Sequence, residues 1–480
     1  MKKQAILLWT VLFAIGFTLC ADTRTIIVKK DGSGDAVTIQ AAFNAAANGD
    51  IIEIGDDEKY IEDVTVSPAL AQAGIPASPI ASFTLRAASG KHPVIQAANA
   101  VTSQRMIALG LPGQDYLGFV VWGCKGVMIQ GIEIVNYENT VNAFNVQSSL
   151  VIADSADVTI ENCTIRGPAA RSPGEGNGIL IAGVQANPFR TDNIVVRNCL
   201  ITETHYGVIS AVFQKGSGAD PNHVTVEDCR FIDGYESGVD IDNAGEAIVR
   251  RCTFNNYNHG IHFAGGNAIV EDCLIMNTKQ EGLDLQVDTN WNDHIAGVVV
   301  RRCAVIGCGF DSDRAGIRCA DGSSRFENCI SAGNAGPGIL VTCGSNSDVN
   351  AVFDHCDIYE NFGDFEVKLV STGNYLGQLT ITNSNIVSTG SGILNEVELE
   401  AVIAHHNNVF VKFDAYERVN ATASLSLNPK YVSPAFNASD FTFAGFQLRE
   451  DSPVLRAGEG GAAIGSQGLP VTTVKSWRAY

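Results

Sequence analysis

VTIENCTI (158–165), IVVRNCLI (194–201), VTVEDCRF (224–231) and AIVRRCTF (247–254) are four variants of one eight-residue unit. The unit recurs as AIVEDCLI (268–275), VVVRRCAV (298–305), SSRFENCI (323–330) and AVFDHCDI (351–358). Less regular copies are VMIQGIEI (127–134), LTITNSNI (379–386) and VIAHHNNV (402–409). The aligned position holds Ile132, then Cys163, Cys199, Cys229, Cys252, Cys273, Cys303, Cys329 and Cys356, then Ser384 and Asn407. The 275 residues from Ile132 to Asn407 contain ten intervals, an average repeat of 27.5 residues.

Each unit reads as a short strand in which apolar residues alternate with charged ones, the pattern of a strand with one buried face. Ten to fifteen residues later, in most units, comes a second strand led by glycine, such as GILIA (178–182), GVISA (207–211) or GILVT (338–342). Gly, Asn, Asp and Thr fill the intervals, and helical periodicity is missing throughout. Such repeats cannot bury a face alone but can stack as coils about 4.8 Å apart. The expectation is an all-β chain: a right-handed parallel β-helix of about eleven or more coils with a short N-terminal capping helix. Coils are expected over 67–412, a strand and capping helix over 22–66, and a C-terminal cap segment over 413–480. Thr38 is expected to cap the helix and Gly49 to end it, and the cysteine column to be an interior ladder of small apolar side chains.

The first residues, MKKQAILLWTVLFAIGFTLCA, pair two lysines with an apolar run and then small residues, the pattern of a signal peptide over 1–21. The protein is therefore expected to be secreted, periplasmic or on the cell surface, with lipidation at Cys20 as the alternative. The run is short for a membrane helix, and no later stretch is long enough for a transmembrane span. Net charge is −20, or −22 once Lys2 and Lys3 leave with the signal, which argues against a nucleic-acid partner. Nothing in the composition calls for an oligomer, so a monomer is expected.

The stretches KDGSGDAVTIQAAFNAA (30–46) and LNPKYVSP (427–434) through FQLREDSPVLRAG (446–458) resemble the opening and closing segments of secreted bacterial β-helix proteins of the pectate-lyase-like superfamily. The resemblance covers essentially the whole mature chain and implies architecture rather than chemistry, because this scaffold hosts lyases, hydrolases, esterases, epimerases and adhesins. The pectin-esterase Gln-Asp pair is replaced by Glu236 and Ser237. NHGIHF (258–263) is similar to the polygalacturonase Gly-His-Gly segment, but Ala320 stands where that family's lysine would be.

Function is sought in the outward residues of the glycine-led strands. Coil by coil they run Leu180, Ile209, Asp240, His262, Asp284, Arg318, Leu340, Glu366 and Leu394, and two residues further on Ala182, Ala211, Asp242, Ala264, Gln286, Ala320, Thr342 and Lys368. The central coils thus replace apolar residues by Asp, His, Asp and Arg. Two chemistries suit that stripe. Asp240 and Asp284, two rungs apart, have a separation compatible with inverting glycoside hydrolysis. Alternatively Asp240, Asp242 and Asp284 hold Ca²⁺, joined by Asp311 or Asp313, with Arg318, His262 or Lys279 as base or cationic contact in uronate β-elimination. Elimination on a polysaccharide leads narrowly, through the resemblance. Trp291 in the loop QVDTNWNDHIAG (286–297) is a candidate sugar platform, and Gln286, Lys279 and Lys368 are candidate substrate contacts. The other-class reading is a non-catalytic cell-surface or glycan-binding protein, for which the stripe binds without turnover or is ordinary solvated surface with cross-strand pairs.

Overall fold

The computed structural model describes residues 23–72, 77–98, 117–135, 148–167, 176–183, 191–212, 221–242, 245–286, 295–311, 314–343, 348–371, 376–397, 401–435, 437 and 439–466. Three sheets, of 15, 13 and 13 strands, contain only parallel pairings, and each strand pairs with those of the coils before and after. One coil shows the plan. Ala156–Glu161 lies in the first sheet, Thr164–Arg166 in the second and Asn177–Gly183 in the third. The apolar residues of all three sheets meet in one continuous interior.

The eight-residue unit is therefore two strands and not one. The chain bends at the residue before each cysteine, which takes a left-handed conformation: Asn162, Asn198, Asp228, Arg251, Asp272, Arg302, Asn328 and His355 all have φ between 51° and 54° or close to it, Asn328 reaching 55°. A second left-handed column, Glu203, Asp233, Asn256, Asn277, Gly307, Gly333 and Glu360, turns the chain out of the second sheet. The cysteines stand in the first corner, buried and unpaired, with Sγ donating weakly to carbonyls such as Glu161 O at 3.3 Å. Cys124, Cys308, Cys319 and Cys343, off that column, are buried as well and form no disulfide.

The outer face of the first sheet carries an alternating row in register: Glu161, Arg197, Glu227, Arg250, Glu271, Arg301, Glu327. Opposite charges on neighbouring rungs attract, and they are in contact: Arg197 Nε reaches Glu161 at 2.6 Å, and Arg250 Nη2 reaches Glu227 at 2.7 Å.

Helix α1 (Ile39–Ala45) packs Ile39 and Phe43 onto the first coils, with Phe43 edge-on to Phe83 at 4.8 Å. Thr38 Oγ1 accepts from Ala41 N as expected, and Glu62 adds a second cap by accepting from the Ile39 and Gln40 amides. The helix stops at Ala46, and Gly49 (φ 86°) serves the turn that follows instead. The strand Thr25–Val28 before it is already the first rung of the first sheet. At the other terminus, Tyr431, Phe441, Phe443, Phe446 and Leu448 lie along the outer side of the second sheet, over Leu274, Ala304, Ile306, Ile330 and Val387. Buried Asp357 fastens that segment, accepting from Tyr431, Asn385 and Ser466.

Candidate functional site

The third sheet has a crowded leading edge. A Cβ on Gly238 would stand 2.5 Å from the Phe254 ring, one on Gly260 2.4 Å from Ile275, and one on Gly282 2.4 Å from Val305. Only glycine lets these strands run so close to the second sheet, and the side chains that follow are thereby fixed in level. Val239, Ile261, Leu283 and Ile317 align inward, and Asp240, His262, Asp284 and Arg318 align one residue later on successive rungs. On either side the same position holds Leu180 and Ile209, or Leu340.

This row differs from the charged row of the first sheet. Asp240 is 4% exposed and Asp284 3%, while the His262 and Arg318 side chains are 21% and 18% exposed. His262 Nδ1 stands 3.2 Å from Asp240 Oδ1. Burial opposes a charge on His262, but the carboxylate of Asp240, with Asp284 and Asp242 behind it, pushes the imidazole up to about 10. Burial likewise opposes ionisation of Asp240, yet the His262 charge and hydrogen bond hold its carboxyl below the ordinary value. At neutral pH this is an ion pair. Arg318 Nη1 lies 3.8 Å from Asp284 Oδ2, too far for a hydrogen bond.

A second group lies beside the stripe. His259, Glu281 and Asp284 are all buried, with one ligand-type atom from each within 4.8 Å of the others. His259 Nδ1 is 3.6 Å from Glu281 Oε2 and 3.9 Å from Asp284 Oδ2. His259 Nδ1, Glu281 Oε2 and Asp284 Oδ1 have no hydrogen-bond partner. Arg314 Nη1 approaches the other Glu281 oxygen, Oε1, at 3.2 Å.

A family model described as the right handed beta helix region matches residues 117–290 and 177–352. The chain is a right-handed parallel β-helix protein. Among solved structures, this β-helix protein is similar to PfbA, a surface adhesin of Streptococcus pneumoniae (12% identity, 74% of this chain and 88% of that one, TM-score 0.44). It is similar also to the A-module of the Azotobacter vinelandii mannuronan C-5 epimerase (10% identity, 80% and 96%, TM-score 0.43) and to a pectate lyase (12%, 93% and 97%, TM-score 0.32). No curated protein matches the β-helix chain in sequence. No helix among the described residues is long and apolar enough to cross a membrane.

Of the residues expected in the site, the β-helix brings Asp240, His262, Asp284 and Arg318 into one row. The three aspartates expected to share Ca²⁺ do not form one cluster. Asp240 and Asp242 converge with His262, whereas Asp284, two rungs away at about 9–10 Å by strand spacing, converges with His259 and Glu281. The first group offers two carboxylates and one imidazole, the second the carboxylate pair of Glu281 and Asp284 with the His259 imidazole. Gln286 follows the strand Leu283–Leu285 on the Asp284 rung. Lys279 stands at the corner, with Nζ 5.6 Å from the centre of the Tyr235 ring, turned to that ring. Lys368, and not Glu366, pairs with Leu340 in the main stripe. Glu366 falls one residue before Val367, at the glycine level, and its side chain is fully buried, accepting from Asn361 N and Nδ2. The sequence reading of this rung was thus two residues ahead of the register. Asp311 is exposed, and Trp291 and Asp313 lie outside the described residues. His259 and Glu281 were missed; the available signal was the polar run Ser237, His259, Glu281 immediately before three successive leading glycines.

Proposed function

We propose that this β-helix protein is an exported carbohydrate-active enzyme that cleaves an anionic polysaccharide laid across the third sheet, by β-elimination at a uronate. The observation that carries the reading is the row Asp240–His262–Asp284–Arg318, largely withdrawn from solvent and flanked on both sides by apolar rungs. In this reading His262 and Arg318, two cations two rungs apart, bind and neutralise the substrate carboxylate. Asp284 stands between them, and Asp240, held ionised, accepts the proton on the carbon next to the carboxylate. That electron pair forms the carbon–carbon double bond as the glycosidic C–O bond at the following carbon breaks, and the leaving oxygen takes a proton from water. Asp240 is held below the ordinary carboxyl value, which suits it to accept a proton rather than to donate one as the acid of inverting hydrolysis.

The test is incubation of purified protein with pectate, alginate, glycosaminoglycans and neutral glycans, read for unsaturated-uronate absorbance and for new reducing ends. Both signals together, abolished by Arg318→Ala and Asp240→Ala, are expected. Reducing ends without absorbance would transfer the reading to hydrolysis. Binding without either signal would make this a glycan-binding protein and remove the enzyme.

A further inference from the structure

We propose that His259, Glu281 and Asp284 form a binding site for one first-row divalent metal ion of the zinc or manganese type. The inference goes beyond the cleavage reading and does not depend on it. Three observations support it. First, the three side chains are almost fully buried, at 8%, 0% and 3% exposure, yet each presents an atom with no hydrogen-bond partner. Leaving one buried polar atom unsatisfied is costly; two of these, His259 Nδ1 and Glu281 Oε2, face each other at 3.6 Å, and the carboxylate of Asp284 stands beside them, which points to a missing common partner.

Second, the separations are those of ligands and not of a contact pair. At 3.6 Å and 3.9 Å, His259 Nδ1 is too far from Glu281 Oε2 and Asp284 Oδ2 to hydrogen-bond. Two donors each about 2.1 Å from one ion stand roughly 3–4 Å apart. One imidazole nitrogen and two carboxylates are a mixed donor set that suits zinc or manganese better than calcium.

Third, the surrounding groups are arranged as outer partners. Ligating histidines usually present the other ring nitrogen to a carboxylate, and ligating carboxylates are themselves hydrogen-bonded. His259 Nε2 faces Glu236 Oε1 at 4.0 Å, and Glu236 is fixed by Asn258 Nδ2 at 2.8 Å. Arg314 holds Glu281 by Oε1 and leaves Oε2 turned to His259.

The test uses the full mature chain, stripped with chelator and titrated calorimetrically with Zn²⁺ and, separately, with Mn²⁺ and Ca²⁺. Co²⁺ loading supplies a visible spectrum that reports nitrogen coordination. One equivalent of Zn²⁺ or Mn²⁺ is expected to bind more tightly than Ca²⁺ and to raise Tm. His259→Gln and Glu281→Gln should each weaken binding at least tenfold and alter the Co²⁺ bands, with the far-ultraviolet circular dichroism of the β-helix retained. Should Glu281→Gln fail to fold, His259→Gln carries the test. Absence of saturable binding, or binding lost in His262→Gln and kept in His259→Gln, would overturn the assignment. Neither readout uses turnover, so failure of the cleavage reading leaves this result interpretable.

Discussion

Replacing Asp240 by Asn should release His262 from its charged state, and the size of that release follows from the geometry. The imidazole titrates at about 10 in the fold, against 6.5 in an ordinary setting, because Asp240 lies 3.2 Å away in a site screened from water. A folded-state value raised above the unfolded one means stability that is fully present below pH 6.5 and is lost as pH rises through about 10. The shift corresponds to roughly 4–5 kcal/mol at the low-pH limit, falling to about 2 kcal/mol near pH 8.5. Protein carrying ¹³Cε1-histidine, with the His262 signal assigned from His262→Gln, would be titrated by NMR between pH 5 and 11. The wild-type signal is expected to move only above pH 9, and in Asp240→Asn its midpoint should fall by at least two units. Denaturant unfolding at pH 6 and pH 9 supplies the linked stability change. A wild-type midpoint near 6.5 would refute the argument, since His262 would then be a neutral imidazole at pH 7 and neither a cationic contact nor the partner that keeps Asp240 ionised.

Glu366 gives a second pH signature: burial pushes its carboxyl up to about 8, so stability should fall as pH rises from about 4.5 to 8, and Glu366→Gln should flatten that slope in a series of urea melts. Gly260→Ala should destabilise by about 1–3 kcal/mol, because the new methyl meets Ile275 at 2.4 Å, and a Tm unchanged from wild type would contradict the crowding argument. Arg197→Glu would put three carboxylates in a row with Glu161 and Glu227 and cost about 1 kcal/mol at low salt, an effect that should shrink in high salt when melts are compared. Adding reductant to the pure protein should leave Tm unchanged, since the described cysteines form no disulfide.

The coil plan was legible because stacking forces one inward pattern on every repeat, and the cysteine column shows it directly. The corners were less legible. Asn162, Asn198, Asp228 and His355 are residue types that take up this left-handed conformation readily, but Arg251 and Arg302 adopt it without that preference, carried there by their neighbours in the stack. The row Asp240–His262–Asp284–Arg318 could be read because each residue follows a leading glycine by two. His259 and Glu281 were harder to read, because they precede those glycines and only the polar run before three successive glycines marks them. In a straight strand His259 and His262, three apart, would face opposite sides. Their ring centres nevertheless lie 5.9 Å apart, which alternation alone does not indicate. At Glu366 the sequence reading slipped by two residues, because no glycine stands two before Lys368 to mark the level of that strand.

The alternating row on the first sheet also restricts how such a molecule can change length over evolutionary time. Excising the coil that carries Arg197 would set Glu161 directly against Glu227, while excising that coil and the next would set Glu161 against Arg250 and keep the signs matched. Over these rungs the repeat number is held by parity. Coils should be gained or lost in pairs, so that the unit of duplication here is about twice the unit of structure.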